Sequence, residues 1–193
     1  MDRRIFLGLT LATIVNNKLY ANEPILKAGD ILLTRNAGGE QFNESPGYYN
    51  HTAIFAGGNW VVEAQAIFDK VIAVPVWYFF ERYPEILVLR PKDAEIAIRT
   101  SSYAHNLIGR NYTKLESIRP LWRWHSGDSC VTVIRRIYNQ VTGIDYKWRI
   151  PDDFAKSNIF TAIALQKDYE NYKRPPEPYK GMIQQLPNWA AKK

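Results

Sequence analysis

Apolar and polar positions divide the chain into two parts of different character. In the first part, short apolar runs stand between turn signals and predict strands: Asp30-Ile31-Leu32-Leu33-Thr34-Arg35, His51 to Ala56, Trp60 to Ala64, Val71 to Val74, and Ile86 to Arg90. Residues 22–29 lead in, ending at Gly29. Gly57-Gly58-Asn59 joins the second and third strands as a hairpin. Asn36 to Tyr49, with Gly38, Gly39, Pro46 and Gly47, reads as a loop. Trp77-Tyr78-Phe79-Phe80 suits a short helix that belongs to the core. The second part carries helix signals. Asp93 caps a stretch from Ala94 to Ile108 that Gly109 closes. Asp128 and Ser129 precede a helix that opens at Cys130, runs to about Val141 and stops at Gly143. Pro151-Asp152-Asp153-Phe154 starts a last short helix. Strands first and helices later predict an α+β domain with an antiparallel sheet packed against helices.

From Gln166 the chain is polar and bears Pro175, Pro176 and Pro178. Residues 166–193 therefore read as an extension packed on or near a domain of residues 22–165. A length of 193 residues suits one such domain, and 46% hydrophobic with 23% charged residues is ordinary for a globular chain. Residues 1–21 look like an export signal. Arg3 and Arg4 precede Ile5 to Val15, an apolar run too short to span a bilayer, and cleavage after Ala21 fits. Arg3-Arg4-Ile5-Phe6-Leu7 resembles a twin-arginine signal, and a Sec signal fits nearly as well. No cysteine follows the run, which argues against a lipoprotein anchor. The expectation is a periplasmic protein with no transmembrane segment in its mature form. The formal charge is +6, of which Arg3, Arg4 and Lys18 against Asp2 supply two. The rest is spread out, with no basic stripe or recognition helix, so nucleic acid is not an expected partner.

Cys130 is the single cysteine, so it cannot form a disulfide within its own chain. In the first turn of a helix it lies at the positive end of the helix dipole, where negative charge is favoured, and the thiolate is the attacking form of cysteine. A buried packing residue is the alternative. A nucleophile needs a base and an orienter for that base. Of three histidines, His105 falls within a predicted helix, where a surface or packing role is expected. His125 lies in a loop five residues before Cys130, with nothing to hold it there. His51 opens a strand of the hairpin. If Gly57-Gly58-Asn59 is a three-residue loop, Ala56 pairs with Trp60 and Ala53 with Glu63. His51 and Glu63 then share a face, one diagonal step apart, within reach of each other. A two-residue turn would reverse the parity. There is no Gly-rich phosphate loop and no Gly-x-Ser-x-Gly elbow, and the histidines lack metal-ligand spacing.

Several of these segments together resemble a family. Gly29-Asp30-Ile31-Leu32, Asn50-His51-Thr52-Ala53-Ile54-Phe55 and Trp60-Val61-Val62-Glu63-Ala64 look like the opening of the YiiX/YaeF-like hydrolases, circularly permuted members of the NlpC-type papain-like cysteine peptidases. Gly109-Arg110-Asn111-Tyr112, Asp128-Ser129-Cys130 and Pro151-Asp152-Asp153-Phe154-Ala155-Lys156-Ser157 follow in the order of that family's later motifs. The resemblance covers roughly residues 28–160. It implies a permuted papain-like fold, which accounts for a histidine preceding the cysteine. It implies Cys130 as nucleophile, His51 as base and Glu63 as third member. Tyr112 and Ser129 become candidates for the oxyanion site or the substrate wall, and the backbone N–H of Cys130 is the natural oxyanion donor. Two features depart from the pattern. Val131 stands where many relatives have serine, and Leu121-Trp122-Arg123-Trp124-His125 alternates aromatic and basic groups. That insert, Trp124 above all, suits one wall of a substrate groove, or equally aromatic packing on the core.

The export-type N-terminus suggests an exported protein acting on a cell-envelope peptide, amide or lipid substrate, and the resemblance implies a thiol hydrolase that cleaves amide bonds, in wall peptides for instance, without cofactor or metal. Two rivals stand beside it: a lipid acyl hydrolase or acyltransferase similar to lecithin:retinol acyltransferase, and a non-catalytic envelope-binding domain.

Overall fold

Six strands hydrogen-bond side by side, all antiparallel, in the order β4-β3-β2-β1-β5-β6. They are β1 (Ile31–Arg35), β2 (His51–Gly57), β3 (Trp60–Gln65), β4 (Lys70–Pro75), β5 (Glu85–Pro91) and β6 (Phe160–Leu165). The helices are α1 (Val76–Arg82), α2 (Ala94–Ala104), α3 (Cys130–Thr142) and α4 (Asp152–Ala155). The computed structural model describes residues 26–35, 47–83, 85–112 and 129–165. The expected export signal (1–21), most of the first loop, the insert with Trp124 and His125, and the extension 166–193 lie outside the described residues.

Both faces of the sheet are covered, which is why its strands are apolar almost throughout. Ile31, Leu33, Ile54 and Val62 on one face pack with Val133, Ile134 and Ile137 of α3. Leu32, Ala53, Phe55 and Val61 on the other pack with Phe79 and Phe80 of α1 and with Tyr83 just beyond it. The expected core role of the 77–80 segment therefore falls mainly on Phe79 and Phe80. Gly29 is required where the lead-in crosses α2. Its φ is +92°, and a Cβ there would stand 2.4 Å from the Ala97 carbonyl oxygen.

The expected elements form, with three adjustments. The helix begun by Asp93 is α-helical only to Ala104, then tightens into a single 3₁₀ turn at His105–Leu107 before Gly109 turns the chain at φ +89°. The chain then runs along the free edge of β4: Gly109 N donates to Val71 O, Val71 N to Arg110 O and Tyr112 N to Asp69 O, each at 2.8 Å. Those bonds bring Tyr112 back to the sheet. The third adjustment is β6, which was not expected. It follows α4 after a few residues and, among the described residues, pairs only with β5, so the non-local partner, not the local pattern, makes it a strand.

The residues just before β2 are held by α4. The Asp152 carboxylate accepts from the backbone N–H groups of Tyr48 and Tyr49, both at 2.9 Å. Gly47 lies so close that a Cβ would meet Asp152 Oδ2 at 2.1 Å. This clamp fixes the chain as it enters His51.

Candidate active site

The thiol is positioned by a helix cap. Ser129 is extended at φ −79° and ψ 171°, and its hydroxyl accepts from Thr132 N at 3.3 Å. The Thr132 hydroxyl accepts in return from Ser129 N at 2.5 Å. This is a capping box with threonine in place of the usual Glu or Gln. Cys130 is thus the first helical residue, half-buried, and it is a free thiol. Ser129 has its hydroxyl committed to the cap.

The base and acid are positioned by the hairpin, through a register not foreseen in detail. The turn has two residues, Gly58 at φ +57° and Asn59 at φ +68°, with Gly57 paired to Trp60. The next pair is Phe55 with Val61, so Ala56 is an extra residue, a β-bulge. The two-residue turn would have put Glu63 on the wrong face, and the bulge restores the parity. Ala53 pairs with Glu63, and His51 Nε2 lies 2.8 Å from Glu63 Oε2. A carboxylate only accepts, so Nε2 carries the hydrogen and Nδ1 is the nitrogen left for another partner. The Cys130 side chain is close enough to the ring to act on its charge. By strand alternation His51 and Glu63 belong to the α1 face, whereas α3 packs on the other. The thiol and the imidazole meet where both β2 and α3 begin.

Glu63 is completely buried and carries four donors. Beside His51, Oε2 accepts from Gln65 Nε2 at 2.6 Å and from the Tyr83 hydroxyl at 3.0 Å. Oε1 accepts from Arg82 Nη1 at 2.9 Å. The sequence offered a hint of Gln65, which strand alternation puts on the same face two residues on from Glu63. It offered none of Arg82 and Tyr83, whose place depends on how α1 folds back over the sheet. Of the other candidates, His105 is exposed at the end of α2. Tyr112 is half-buried beside Cys130. Burial first, then the nearby Cys130 charge, pushes its phenol up to about 12, so the hydroxyl stays protonated at neutral pH.

Burial opposes charge on both His51 and Glu63, and the partners outweigh it. For His51 the hydrogen bonds to Cys130 and Glu63, with the charges of both, raise the ring from 6.5 to about 9. For Glu63 the His51 hydrogen bond and the Arg82 charge hold the carboxyl below its ordinary 4.5. A raised histidine stabilises the fold fully below pH 6.5 and ceases to as pH climbs through about 9. A depressed carboxyl stabilises above 4.5 and ceases to as pH falls through its folded value. Melting temperature should therefore decline between pH 6.5 and 9, and a His51→Gln variant should be flatter over that window. Equal slopes in thermal melts of the two proteins would refute this.

No protein-family model matches the sequence, and no curated protein matches it. Among solved structures, YiiX from Escherichia coli O157:H7, a DUF1105 protein described as a metalloprotein, superposes with a TM-score of 0.56 at 15% sequence identity. The match covers 72% of this chain and 96% of that one. The fold is YiiX-like. That likeness extends to the mixed architecture, a six-stranded antiparallel sheet with helices on it. A metal ion does not fit the donors assembled here. Three donors crowd Glu63 Oε2, and the one on Oε1 is a guanidinium that would repel a cation. Among the described residues, no group of three or more His, Cys, Asp or Glu side chains is arranged to hold a metal.

Proposed function

We propose that this chain is a thiol hydrolase of the permuted papain-like kind that cleaves amide bonds through an acyl-enzyme on Cys130. The observation that carries the reading is the relay Cys130–His51–Glu63, with the thiol on a capped helix N-terminus and a buried carboxylate behind the imidazole. His51 takes the Cys130 proton at Nδ1, and the sulfur attacks the carbonyl carbon. The oxyanion that forms is met by the Cys130 backbone N–H and by the Tyr112 hydroxyl, a neutral donor at working pH. Protonated His51 passes its proton to the leaving amine as the C–N bond breaks, leaving a thioester. The ring then deprotonates a water that attacks the thioester, and the sulfur leaves as the acid product forms. Glu63 keeps Nε2–H engaged throughout, which holds the ring in the tautomer that presents Nδ1.

The export-type N-terminus supports a place in the cell envelope, and wall peptides are the first substrate class to try. No described helix is long and apolar enough to cross a membrane. The deciding experiment offers the full chain a panel of peptide amides, muropeptides and phospholipids, with intact-mass detection of an acyl adduct. The expected result is amide or muropeptide turnover with a transient thioester on Cys130. Turnover of phospholipid alone would move the substrate to lipid esters. No adduct and no turnover on any arm would leave a binding domain.

A further inference from the structure

The Cys130–His51–Glu63 relay leaves Arg82, Tyr83 and Gln65 without an assigned role, although all three converge on one oxygen pair. Arg82 spans the network with its two terminal nitrogens. Nη1 donates to Glu63 Oε1 at 2.9 Å and Nη2 to the Tyr83 hydroxyl at 2.8 Å. Tyr83 donates its single proton to Glu63 Oε2 at 3.0 Å and accepts from both Arg82 and Gln65. The Gln65 amide gives its two hydrogens to Glu63 and Tyr83. Every donor and acceptor of the Tyr83 hydroxyl and every hydrogen of the Gln65 amide is used, so the carboxylate has one orientation open to it. The Arg82 side chain is only 22% exposed and lies over the rings of Tyr78 and Tyr83, 5.2 and 4.9 Å from their centroids. The two rings help to hold the guanidinium in place beside Glu63.

We infer that Arg82 is a positioning residue of this site, which with Tyr83 and Gln65 aims Glu63 at His51 Nε2 and balances part of its charge. The inference rests on the proposed thiol chemistry, which makes His51 the group whose proton must move. The charged and titratable groups in play are Glu63 and Cys130 against His51, the Tyr83 ring 5.3 Å from the imidazole, Arg82 against Glu63, and Tyr112 beside Cys130. Without Arg82, the buried carboxylate would act on His51 unbalanced. The ring would bind its proton more tightly and release it more slowly to a leaving group. The carboxylate would also lose the partner that keeps Oε1 away from the imidazole. Arg82 thus tempers the pull of Glu63 while fixing its direction.

The test uses the full chain without substrate first. Histidine-selective ¹⁵N NMR follows the His51 titration in wild type and in Arg82→Gln, Arg82→Lys and Tyr83→Phe. Arg82→Gln should move the His51 midpoint up by about half a pH unit or more, because a cation near the pair is gone. Arg82→Lys, which keeps the charge, should stay near wild type. On whichever substrate the panel supplies, Arg82→Gln should lose about tenfold or more in kcat with KM little changed, since Arg82 acts through Glu63. An unmoved His51 midpoint in folded Arg82→Gln, or a midpoint moved equally by lysine, overturns the proposal. Should Arg82→Gln fail to fold, Tyr83→Phe decides. It removes one donor from Glu63, and an unaltered His51 titration in that variant also overturns the proposal. The titration needs no turnover, so a chain inert on every substrate would refute the thiol chemistry and leave this result standing on its own.

Discussion

Cys130→Ala and Cys130→Ser proteins are expected to lose amide turnover by a factor on the order of 10⁴ or more. Serine keeps the shape of the thiol but is a far weaker acid and a poorer nucleophile in a relay set for sulfur. The cap that places residue 130 is made by Ser129 and Thr132, so neither substitution should disturb the fold. His51→Ala should cost a comparable factor. The double variant Cys130→Ala/His51→Ala should be no worse than either single one, because groups that act as a unit are not additive. A thiol-reactive probe gives a second reading, with an advantage peculiar to this chain: there is one cysteine to label. Cys130 should label faster than free cysteine near neutral pH, and His51→Ala should remove that excess. Labelling no faster than free cysteine, unaltered by His51→Ala, would mean that the thiol is a packing residue and the relay is not chemistry.

The second large effect lies at Glu63, and it should appear in stability as well as in rate. Glu63→Ala strips the acceptor from His51, Gln65, Tyr83 and Arg82 at once. A mostly buried guanidinium is left without its counter-charge. Breaking a buried pair from one side costs about 3–5 kcal/mol. The partial exposure of Arg82 puts the expectation near the lower figure, a drop in melting temperature of about 10 °C. Glu63→Gln is no remedy. Whichever way its amide faces, an NH₂ is pressed against groups that are themselves donors. Both variants should also lose kcat by a factor on the order of 10²–10⁴, because nothing then selects the tautomer that offers Nδ1 to sulfur. Wild-type melting and wild-type kcat in Glu63→Gln would show that the carboxylate merely fills space.

Local signals carried a good part of this molecule. The Asp128-Ser129-Cys130 run announced a helix start, and the structure puts Cys130 in the first turn with Ser129 as cap. Gly143 ends that helix at φ +73°. The alternating runs located five of the six strands. These features depend on residues within a few positions of each other, where backbone sterics, capping and side-chain period act directly. The pairing of His51 with Glu63 was legible only as a conditional. It hung on turn length, and the chain adopts the short turn yet keeps the register through the extra residue at Ala56. A bulge stabilises no local pattern of its own. It is chosen because it keeps Ala53, Phe55 and Val61 on the face that α1 covers.

Contacts between distant segments were decided by the tertiary structure alone. β6 is a strand because β5 offers it an edge. Asp152 steadies the approach to His51 from about a hundred positions away. Arg82 and Tyr83 reach Glu63 because α1 closes over the sheet and brings a guanidinium and a phenol to a buried carboxylate. The sequence by itself determined which residues could do thiol chemistry and where a helix would present the sulfur. The packing of both sheet faces determined which of them meet, because burial of a charge is tolerated only where its partners are assembled by the same fold.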